Sequence, residues 1–265
     1  MNEELKTLFE GRDFEKDPLQ VLSCGAGEQS TAMLQMIVNG DLDRPDIVIF
    51  SDTGSEMPYT YEIIKNIIEA LCNSIDLPFY IVRPHEGKLH EHYREKNMIP
   101  MVGMRSCTSK FKIRPQRRFV REIVGNKNGV LLANAWLGIT TDEAGRMATS
   151  DVKWMSVSFP LIEKGISRSD CREYNIKHNL NVAKSGCYCC PYQSDNEWIR
   201  LLENYPDLFN ESLEMEKAYF ANRDRWKGLS RQSNSLKELL EKYKGGEIEF
   251  DDSEGSCSAG WNCFL

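Results

Sequence analysis

The alternation of apolar and amphipathic segments in the first half of the chain is the feature that most constrains its fold. Short, almost wholly apolar segments are typical of buried strands, and they read "LQVLS", "DIVIFSD", "PFYIVRP" and "GVLLANAWLGI". Between them lie segments with helical periodicity, such as "STAMLQMIVNG", "YTYEIIKNIIEALCN" and "PQRRFVREIVG". Apolar strands that alternate with helices indicate a parallel sheet covered on both faces. We therefore predict an α/β fold with a parallel sheet of about five strands.

The character of the chain changes after about residue 150. The second part contains a capped helix in "SRSDCREYNIKHN", a cysteine-rich loop, and the helical stretches "NEWIRLLENY" and "ESLEMEKAYFANRDRW". A chain of 265 residues is long enough for one large domain with an appended lobe. We predict a nucleotide-binding α/β domain at residues 1–150 and a helical, cysteine-containing lobe with an acidic tail at residues 151–265.

Composition narrows the class of protein. The net charge of −7 and the pI near 5.3 argue against a protein whose whole surface binds a nucleic-acid backbone. No apolar run approaches the ~20 residues of a membrane helix, and "MNEELKTLFEGRDFEKD" is charged rather than signal-like. Nine cysteines in such a chain indicate metal binding, redox chemistry or buried thiols rather than disulfides. We expect a cytoplasmic protein with no membrane partner; the sequence does not decide whether it forms a homo-oligomer.

Polar loops follow the predicted strands. They read "SCGAGEQST" after the first strand, "SDTGSEMP" after the second and "GITTDEAGR" after the last. In parallel sheets such loops share the edge where ligands bind, whereas each loop alone is equally compatible with an ordinary turn.

The glycines of the first loop allow its amide groups to point toward one position beside a helix N-terminus, where hydroxyl groups are also present. The loop matches neither a Walker A loop nor a dinucleotide-binding fingerprint. It predicts a pyrophosphate site formed by Ser23, Gly25, Gly27, Ser30 and Thr31.

Several separated motifs occur in order along residues 19–215. They read "SCGAGEQSTA", "SDTGSEMP", "CTSKFKIRP", "GITTDEAGRM", "PLIEKGISRSDC" and "SGCYCCPYQSDNEW". Together they resemble the PP-loop ATP pyrophosphatases, in the branch that contains the sulfonucleotide (PAPS/APS) reductases and the sulfur-transfer enzyme of DNA phosphorothioation. The resemblance implies an adenine nucleotide α-hydrolase-like fold, in which the loop binds phosphate groups and ATP is cleaved between its α and β phosphorus atoms.

The resemblance also implies which residues contact ATP and Mg²⁺. The candidate ATP- and phosphate-binding residues are Ser23, Gly25, Gly27, Gln29, Ser30, Thr31, Asp52, Thr53, Gly54 and Gly138. The chain departs from the family pattern at Gln29, because many PP-loop enzymes have an aspartate there that helps to hold Mg²⁺. Asp52 or Glu56 would then have to help hold the metal.

Basic residues are concentrated in "KFKIRPQRR", residues 110–118. A charge run of this kind is most often the solvated start of a helix. Lysine and arginine side chains also stabilise the charge that develops in phosphoryl-type transfers. We favour Lys110 and Lys112 from this segment, together with Arg146, as catalytic cations that face the ligand.

The cysteines predict a metal centre. Cys187 and Cys190 form a C-x-x-C motif, whose thiolates lie close enough to share one metal ion or cluster, and Cys189 stands between them. The upstream Cys107 resembles the iron–sulfur branch of the sulfonucleotide reductases, which has a cysteine pair before its C-x-x-C motif. Three thiolates would leave one iron of a [4Fe–4S] cluster open, and a fourth ligand would be Cys263, with Cys257 as the alternative. Zinc remains the alternative to the cluster, because spacing does not separate the two.

Three functions follow as hypotheses. The first is an enzyme that cleaves ATP–Mg²⁺ and transfers AMP to an acceptor, with sulfur or an electron supplied by the cluster. The resemblance allows nucleic acid as the acceptor and a sulfur-donor protein as a partner. The second is a PAPS/APS reductase, in which "CSAGWNCFL" replaces the usual Glu-Cys-Gly-Leu-His tail. The third is a non-catalytic nucleotide-binding protein with structural zinc, in which Gln29 marks lost turnover.

Overall fold

A parallel sheet of five strands is the centre of the protein in a computed structural model that describes residues 7–104, 106–127, 129–221 and 227–250. The strands are β1 (Leu19–Ser23), β2 (Ile47–Ser51), β3 (Phe79–Val82), β4 (Ala133–Leu137) and β5 (Met155–Ser158). Their order across the sheet is β3-β2-β1-β4-β5, and every neighbouring pair is parallel. The predicted α/β fold with a parallel sheet is confirmed.

The strand order reverses at β1, which pairs with β2 on one side and with β4 on the other. Ser23, the last residue of β1, is in register with Ile49 of β2 and with Leu137, the last residue of β4. The loops after β1 and β4 therefore start level with each other. In open α/β sheets the crevice at such a reversal is where ligands bind.

Helices connect the strands and form the second half of the chain. They are α1 (Glu28–Asn39), α2 (Pro58–Ile63), α3 (Glu69–Ser74), α4 (Leu89–Glu95), α5 (Arg114–Val124), α6 (Pro160–Glu163), α7 (Arg168–Lys177), α8 (Asp195–Asn204), α9 (Pro206–Phe220) and α10 (Leu236–Lys244). A π-helical turn at Ile64–Ile68 joins α2 to α3, and another at Thr108–Ile113 precedes α5. A 3-10 helix covers Thr141–Arg146 after β4.

Both faces of the sheet are covered, as continuous apolar strands require. Leu22 of β1 packs into a cluster with residues of α1, α2 and α7, whereas its neighbour Val21 packs on the opposite face with residues of α5. A third apolar cluster lies outside the sheet and joins α4 to the cysteine loop, α8, α9 and α10. This cluster contains residues from both sides of residue 150, among them Leu89 and Trp198.

Helix ends follow the signals in the sequence. Gly40 ends α1 in the left-handed conformation with φ 79°, which glycine adopts without a steric penalty. The Ser167 side chain accepts a hydrogen bond from the Asp170 amide and so caps α7 as predicted. Pro115 and Gly125 lie at the start and just past the end of α5, as expected.

The segment after residue 150 differs from the expectation in one respect. It supplies β5, which pairs with β4, and it supplies α7, which packs against α1. Strand β5 is polar and half-buried over much of its length, so it lacks the apolar run that marked the other strands. The division of the chain at residue 150 stays a prediction, and elements from both sides of it pack on the same sheet. Across the described ranges, none of the helices combines the length and apolarity that a bilayer crossing requires.

Candidate functional site

The loop between β1 and α1 directs its amides toward one position. The amides of Gly25 and Gly27 donate to the Ser30 hydroxyl, with N···Oγ distances of 3.2 and 3.3 Å. Ala26 between them adopts a positive φ of 54°, which curls the backbone in this way. Successive amides that converge at a helix N-terminus form a concave anion-binding turn. In this structure the two amides converge on the Ser30 hydroxyl, and the phosphate site of this loop stays a prediction.

Two glycines are required by close packing around this loop. A Cβ atom at Gly27 would lie 2.7 Å from Ser185 Oγ, closer than real Cβ contacts allow. A Cβ atom at Gly138, after β4, would lie 3.3 Å from the Ser30 amide nitrogen. The phosphate loop is thus closely flanked by the loop after β4 and by the segment that precedes the cysteine motif.

A cleft opens at this point, at the carboxyl ends of β1 and β4. The predicted site residues that line it are Ser23, Gly25, Gly27, Gln29, Ser30, Gly138 and Arg146. Thr31 is fully buried instead, and its hydroxyl has no hydrogen-bond partner among the described residues. Asp52, Thr53 and Gly54 are not among the residues that line the cleft. The structure therefore brings together the first and last predicted loops, and from the middle loop only Met57 lines the cleft.

Charged side chains that the sequence analysis did not assign also line the cleft. Glu143 lies 2.9 Å from Arg146 and accepts a hydrogen bond of 3.4 Å from the Gln29 side chain. Glu28, at the start of α1, pairs with Arg168 and Arg172 of α7 at 2.8 and 3.0 Å. Glu143, Glu28 and Arg168 all line the cleft. The first turn of α1 therefore lies among two carboxylates and the guanidinium groups that pair with them.

The middle loop makes its own interactions. The Asp52 carboxylate accepts hydrogen bonds from the Gly54 amide and the Tyr61 hydroxyl, both at 2.8 Å, and pairs with Arg83 at 3.0 Å. Gly54 has a φ of 67°, and a Cβ atom there would lie 2.7 Å from Lys88 Cγ. These contacts make Asp52 the centre of a tight turn.

Backbone hydrogen bonds attach the middle loop to the cysteine loop. The Met57 amide donates to the Gly186 carbonyl at 2.9 Å, and the Tyr188 amide donates to the Ser55 carbonyl at 3.0 Å. These bonds form an antiparallel bridge between Glu56 and Cys187. The bridge fixes the cysteine motif beside the carboxyl edge of the sheet.

A second, small pocket brings the cysteines together. Cys107, Cys187, Cys189 and Cys190 all line it, and all are free thiols. Cys187 and Cys190 also line the phosphate cleft, so they form part of the wall between the two sites. In the described part of the chain, no three Cys, His, Asp or Glu side chains are grouped so as to hold a single metal ion. Cys263 and Cys257 lie outside the described residues.

The three predicted catalytic cations lie in different surroundings. Arg146 lines the phosphate cleft, whereas Lys112 lines the cysteine pocket and pairs with Glu56 at 3.5 Å. Lys110 contacts His92, with Nζ and Nε2 3.3 Å apart, and lines neither site. Burial and the nearby Lys110 lower the pKa of His92.

Thiols outside the cysteine pocket are packing residues, as expected. Cys72 and Cys171 are fully buried, and burial raises the pKa of each to about 12. Cys24 in the phosphate loop is also buried, and burial raises its pKa. Thiols with raised pKa values are poor nucleophiles at neutral pH.

Comparison with solved structures gives a distant alignment. The U34-tRNA thiolase NcsA from Methanococcus maripaludis, solved with its [4Fe-4S] cluster, aligns with a TM-score of 0.42 and 16% identity. The alignment covers 94% of this chain and 88% of that one.

Sequence comparison finds a curated relative and a family. The uncharacterized protein MJ0973 of Methanocaldococcus jannaschii is 25% identical over 233 residues, which cover 82% of this chain and 54% of the relative. The chain thus spans about half the length of this relative. The family model of the phosphoadenosine phosphosulfate reductase domain matches residues 20–161, more than half of the 265 residues. That match runs from β1 into α6 and includes the phosphate loop and the loop after β4. The chain therefore belongs to the phosphoadenosine phosphosulfate reductase domain family.

Proposed function

We propose that the chain is an ATP pyrophosphatase that adenylates an acceptor and couples this step to sulfur transfer or redox chemistry at an iron–sulfur cluster. The observation that carries the proposal is the shared wall of the two sites. Cys187 and Cys190 line both the phosphate cleft and the cysteine pocket. An acceptor activated in the cleft would therefore be next to the thiols that hold the cluster.

In the first step an acceptor oxygen attacks the α-phosphorus of ATP. The acceptor gains AMP, the bond between the α-phosphorus and the bridging oxygen breaks, and pyrophosphate leaves with that oxygen. The amides of Gly25 and Gly27 and the N-terminus of α1 would bind the leaving pyrophosphate. Arg146 and Arg168, which line the cleft, would stabilise its charge.

Glu143 is the carboxylate best situated for Mg²⁺. It lines the cleft and contacts Gln29, which stands where many PP-loop enzymes have an aspartate. Glu143 also pairs with Arg146 at 2.9 Å, so Mg²⁺ would share this carboxylate with the guanidinium group. Asp52 contacts Arg83 and Tyr61, and Glu56 contacts Thr53, Cys187 and Lys112. Neither Asp52 nor Glu56 lines the cleft. Oxygen ligands from one carboxylate and the phosphates are the usual environment of Mg²⁺ at such sites.

The choice of a cluster over zinc rests on the resemblance of the motifs. In the structure, Cys107, Cys187 and Cys190 line one pocket. Cys107, Cys187 and Cys190 would hold the cluster, which when bound supplies sulfide for substitution at the adenylated acceptor, or an electron. Substitution by sulfide releases AMP with the acceptor oxygen and needs no oxidant.

Reduction of a sulfonucleotide is the second candidate, because the family match favours it. PAPS or APS would bind in the same cleft, and two electrons from a thiol pair would release sulfite. The tail cysteines, Cys257 and Cys263, would have to supply that pair.

The proposals of nucleic acid as the acceptor and of a sulfur-donor protein as the partner rest on the resemblance of the motifs. Cytoplasmic location and homo-oligomer formation stay predictions.

Anaerobic purification followed by separate incubation with ATP and with PAPS or APS tests the proposal. We expect brown protein that contains iron and sulfide, and AMP with pyrophosphate from ATP when nucleic acid is supplied as acceptor. Arg146→Gln should lower that rate by about 10²-fold, the usual loss for one group that stabilises transition-state charge. Arg44→Gln is the matched control, because Arg44 is exposed and bonds only to the carbonyls of Ile75 and Asp76 in the described hydrogen bonds. Sulfite from PAPS or APS would favour the second candidate, and bound zinc with no product would favour the non-catalytic protein.

A further inference from the structure

We propose that the outer side of the helix formed by the π-helical turn Thr108–Ile113 and α5 binds RNA and holds an unpaired nucleotide beside the cysteine pocket. The proposal rests on the proposed function, since the bound RNA would be the acceptor. The charge run "KFKIRPQRR" belongs to this helix, and Lys110 within it lines neither the phosphate cleft nor the cysteine pocket. A docking surface gives its exposed cations a role.

Positive charge is concentrated in one stretch of an acidic chain. Residues 83–121 contain eleven of the 33 lysines and arginines and only three of the 40 aspartates and glutamates. The net charge of the whole chain is −7, so the rest of the chain is strongly negative. A basic stretch in an acidic protein favours local contact with a polyanion rather than contact across the whole surface.

The helix places part of this charge in a line, which we call the basic stripe and which consists of Lys110, Arg114 and Arg118. The backbone stays helical from the π-helical turn into α5, because Ile113 and Arg114 both have right-handed helical angles. Residues four apart in a helix lie on the same face. The buried face of α5 packs on the sheet through Val120. The basic stripe is therefore on the side of the helix that remains available to a partner.

Neighbouring carboxylates do not neutralise the start of the basic stripe. Arg114 is exposed and Lys110 is partly exposed, and neither forms an ion pair with an acidic side chain of the described residues. Lys96 adds a third cation, since burial together with the nearby Lys110 and Lys96 lowers the pKa of His92. A ligand at this position would meet several cations without having to displace a carboxylate.

Arg118 extends the basic stripe to the end of β3. Its guanidinium group donates to the carbonyl of Arg83, the residue after β3, at 2.9 Å. The Arg83 side chain is 71% exposed, although it pairs with Asp52 at 3.0 Å. The positive surface thus continues from the π-helical turn to the β3 edge of the sheet.

The wall that carries the basic stripe on its outside lines the cysteine pocket on its inside. Thr108 and Lys112 line that pocket and belong to the same π-helical turn as Lys110. The Ser51 hydroxyl, at the end of β2, donates to the Lys112 carbonyl at 2.8 Å and so fixes the turn at the carboxyl edge of the sheet. A strand that follows the basic stripe would therefore pass directly beside the pocket.

The chemistry of the basic stripe fits a phosphate backbone. Lysine and arginine side chains contact phosphate oxygens and position a nucleic acid without reading its sequence. A paired nucleotide keeps its base in the stack, whereas an acceptor atom has to enter a cleft between two loops, so an unpaired nucleotide is required. RNA presents unpaired nucleotides in its loops and bulges. We therefore assign the surface to RNA, and an acidic protein is the competing partner.

Fluorescence anisotropy of a labelled oligouridine with the full chain, purified without oxygen, tests the proposal. Lys110→Gln/Arg114→Gln removes two charges of the basic stripe and keeps good helix formers at both positions. We expect its affinity to fall about ten-fold or more at low salt, and the slope of log K against log salt to become flatter by about 1.4, since each phosphate contact on a single strand contributes about 0.7. The oligouridine concentration for half-maximal AMP formation should rise while the maximal rate stays unchanged, because neither side chain lines the cleft.

The matched control is Lys65→Gln/Lys177→Gln, which removes the same charge. Both lysines are exposed and lie on helical segments that pack on the opposite face of the sheet from α5. The control should bind the oligouridine as the wild type does. Circular dichroism shows whether each variant has folded, and Arg114→Gln alone, with a slope change of about 0.7, replaces the double variant where that one has not.

Several results would overturn the proposal. They are no binding by the wild type, wild-type binding by Lys110→Gln/Arg114→Gln, or equal weakening in the control. Tighter binding of duplex RNA or single-stranded DNA than of the oligouridine would also overturn it, and tighter binding of polyglutamate would assign the surface to an acidic protein. A wild type that binds RNA through the basic stripe but forms no AMP from ATP would defeat the proposed function and leave the RNA surface. AMP formation with no dependence on the basic stripe would defeat the RNA surface alone.

Discussion

Glu56 and Lys112 form a buried ion pair at the wall of the cysteine pocket, with the carboxylate and ammonium groups 3.5 Å apart. The two side chains are 2% and 10% exposed, so water screens the attraction between their charges only weakly. The same carboxylate oxygen accepts from the Thr53 hydroxyl at 2.8 Å and lies 3.4 Å from Cys187 Sγ. The pair therefore links the middle loop, the cysteine loop and the segment before α5.

Loss of the carboxylate should be costly because it removes the acidic partner of a buried ammonium group. We expect Glu56→Ala to lower the free energy of unfolding by roughly 3–5 kcal/mol, the usual cost of breaking a buried pair from one side. Glu56→Ala/Lys112→Met removes both charges and should recover a large part of that loss. Urea denaturation of the reduced, metal-free proteins measures both. A double variant that is no more stable than Glu56→Ala would contradict this account of the pair.

A second prediction concerns nucleotide affinity and the close approach of Gly27 to Ser185. Gly27→Ala places a Cβ atom 2.7 Å from Ser185 Oγ, so the Ser185 hydroxyl, or the loop that carries it, must shift. We expect the affinity for a non-hydrolysable ATP analogue to fall about ten-fold or more, which corresponds to about 1.4 kcal/mol. Gly27→Ala/Ser185→Ala should restore most of it, because the next atoms of Ser185 are at ordinary contact distances of 3.6 Å. Titration calorimetry measures the affinities.

Gly145→Ala is the matched control for this pair, since an added Cβ atom there would meet nothing within 4 Å. It should bind the analogue as the wild type does. Unchanged binding by Gly27→Ala, or a double variant no better than the single one, would show that the cleft does not depend on this close approach.

A third prediction concerns Glu143 and Mg²⁺. Glu143→Gln keeps the shape of the side chain and removes the charge that Mg²⁺ requires. We expect the Mg²⁺ concentration for half-maximal AMP formation to rise on the order of ten-fold, or about 1.4 kcal/mol of binding free energy. Asp52→Asn is the control, because Asp52 makes its contacts with Gly54, Tyr61 and Arg83 away from the cleft lining. A larger Mg²⁺ effect in Asp52→Asn than in Glu143→Gln would assign the metal to the middle loop instead.

The sequence alone predicts much of the carboxyl edge of the sheet. Apolar strands and the glycines of the first loop follow from local patterns, and a parallel sheet then brings the loops after β1 and β4 to one edge. The convergence of Cys107 with the C-x-x-C motif was also expected, and the structure brings these cysteines to one pocket. The resemblance to the sulfonucleotide reductases implies the role of Cys107, whereas the sheet edge depends on backbone topology, which periodicity encodes directly.

The directions of the side chains are harder to predict from the sequence, because they depend on contacts between distant segments. Arg168 reaches the cleft because α7 packs against α1 and its guanidinium pairs with Glu28. Asp52 turns away because Arg83 and Tyr61 occupy its oxygens. Glu143 lies in the motif "TDEAGR" and Arg168 lies in the motif "SRSDC". Nothing in the sequence singles out these two residues within their motifs. Strand β5 was missed because its polar residues lack a buried-strand pattern.

The C-terminal lobe predicts a dependence of stability on pH through Glu216. Burial raises the pKa of this carboxyl above its ordinary value near 4.5, and hydrogen bonds from the amides of Leu229 and Leu236 only partly offset the effect. The folded chain therefore holds the Glu216 proton more tightly than the unfolded chain does. The stability that comes from this tighter binding is fully present below pH 4.5 and is lost as the pH rises through the pKa of Glu216 in the folded chain.

The stability of the wild type relative to Glu216→Gln should therefore fall as the pH rises from about 4.5 through that range. The matched control is Glu214→Gln, since Glu214 lies on the same helix, is exposed and pairs only with Lys217 in the described ion pairs. Chemical denaturation at a series of pH values gives the difference for each variant. A difference for Glu216→Gln that is constant with pH, or that grows as the pH rises, would mean that burial does not control the ionisation of this carboxyl.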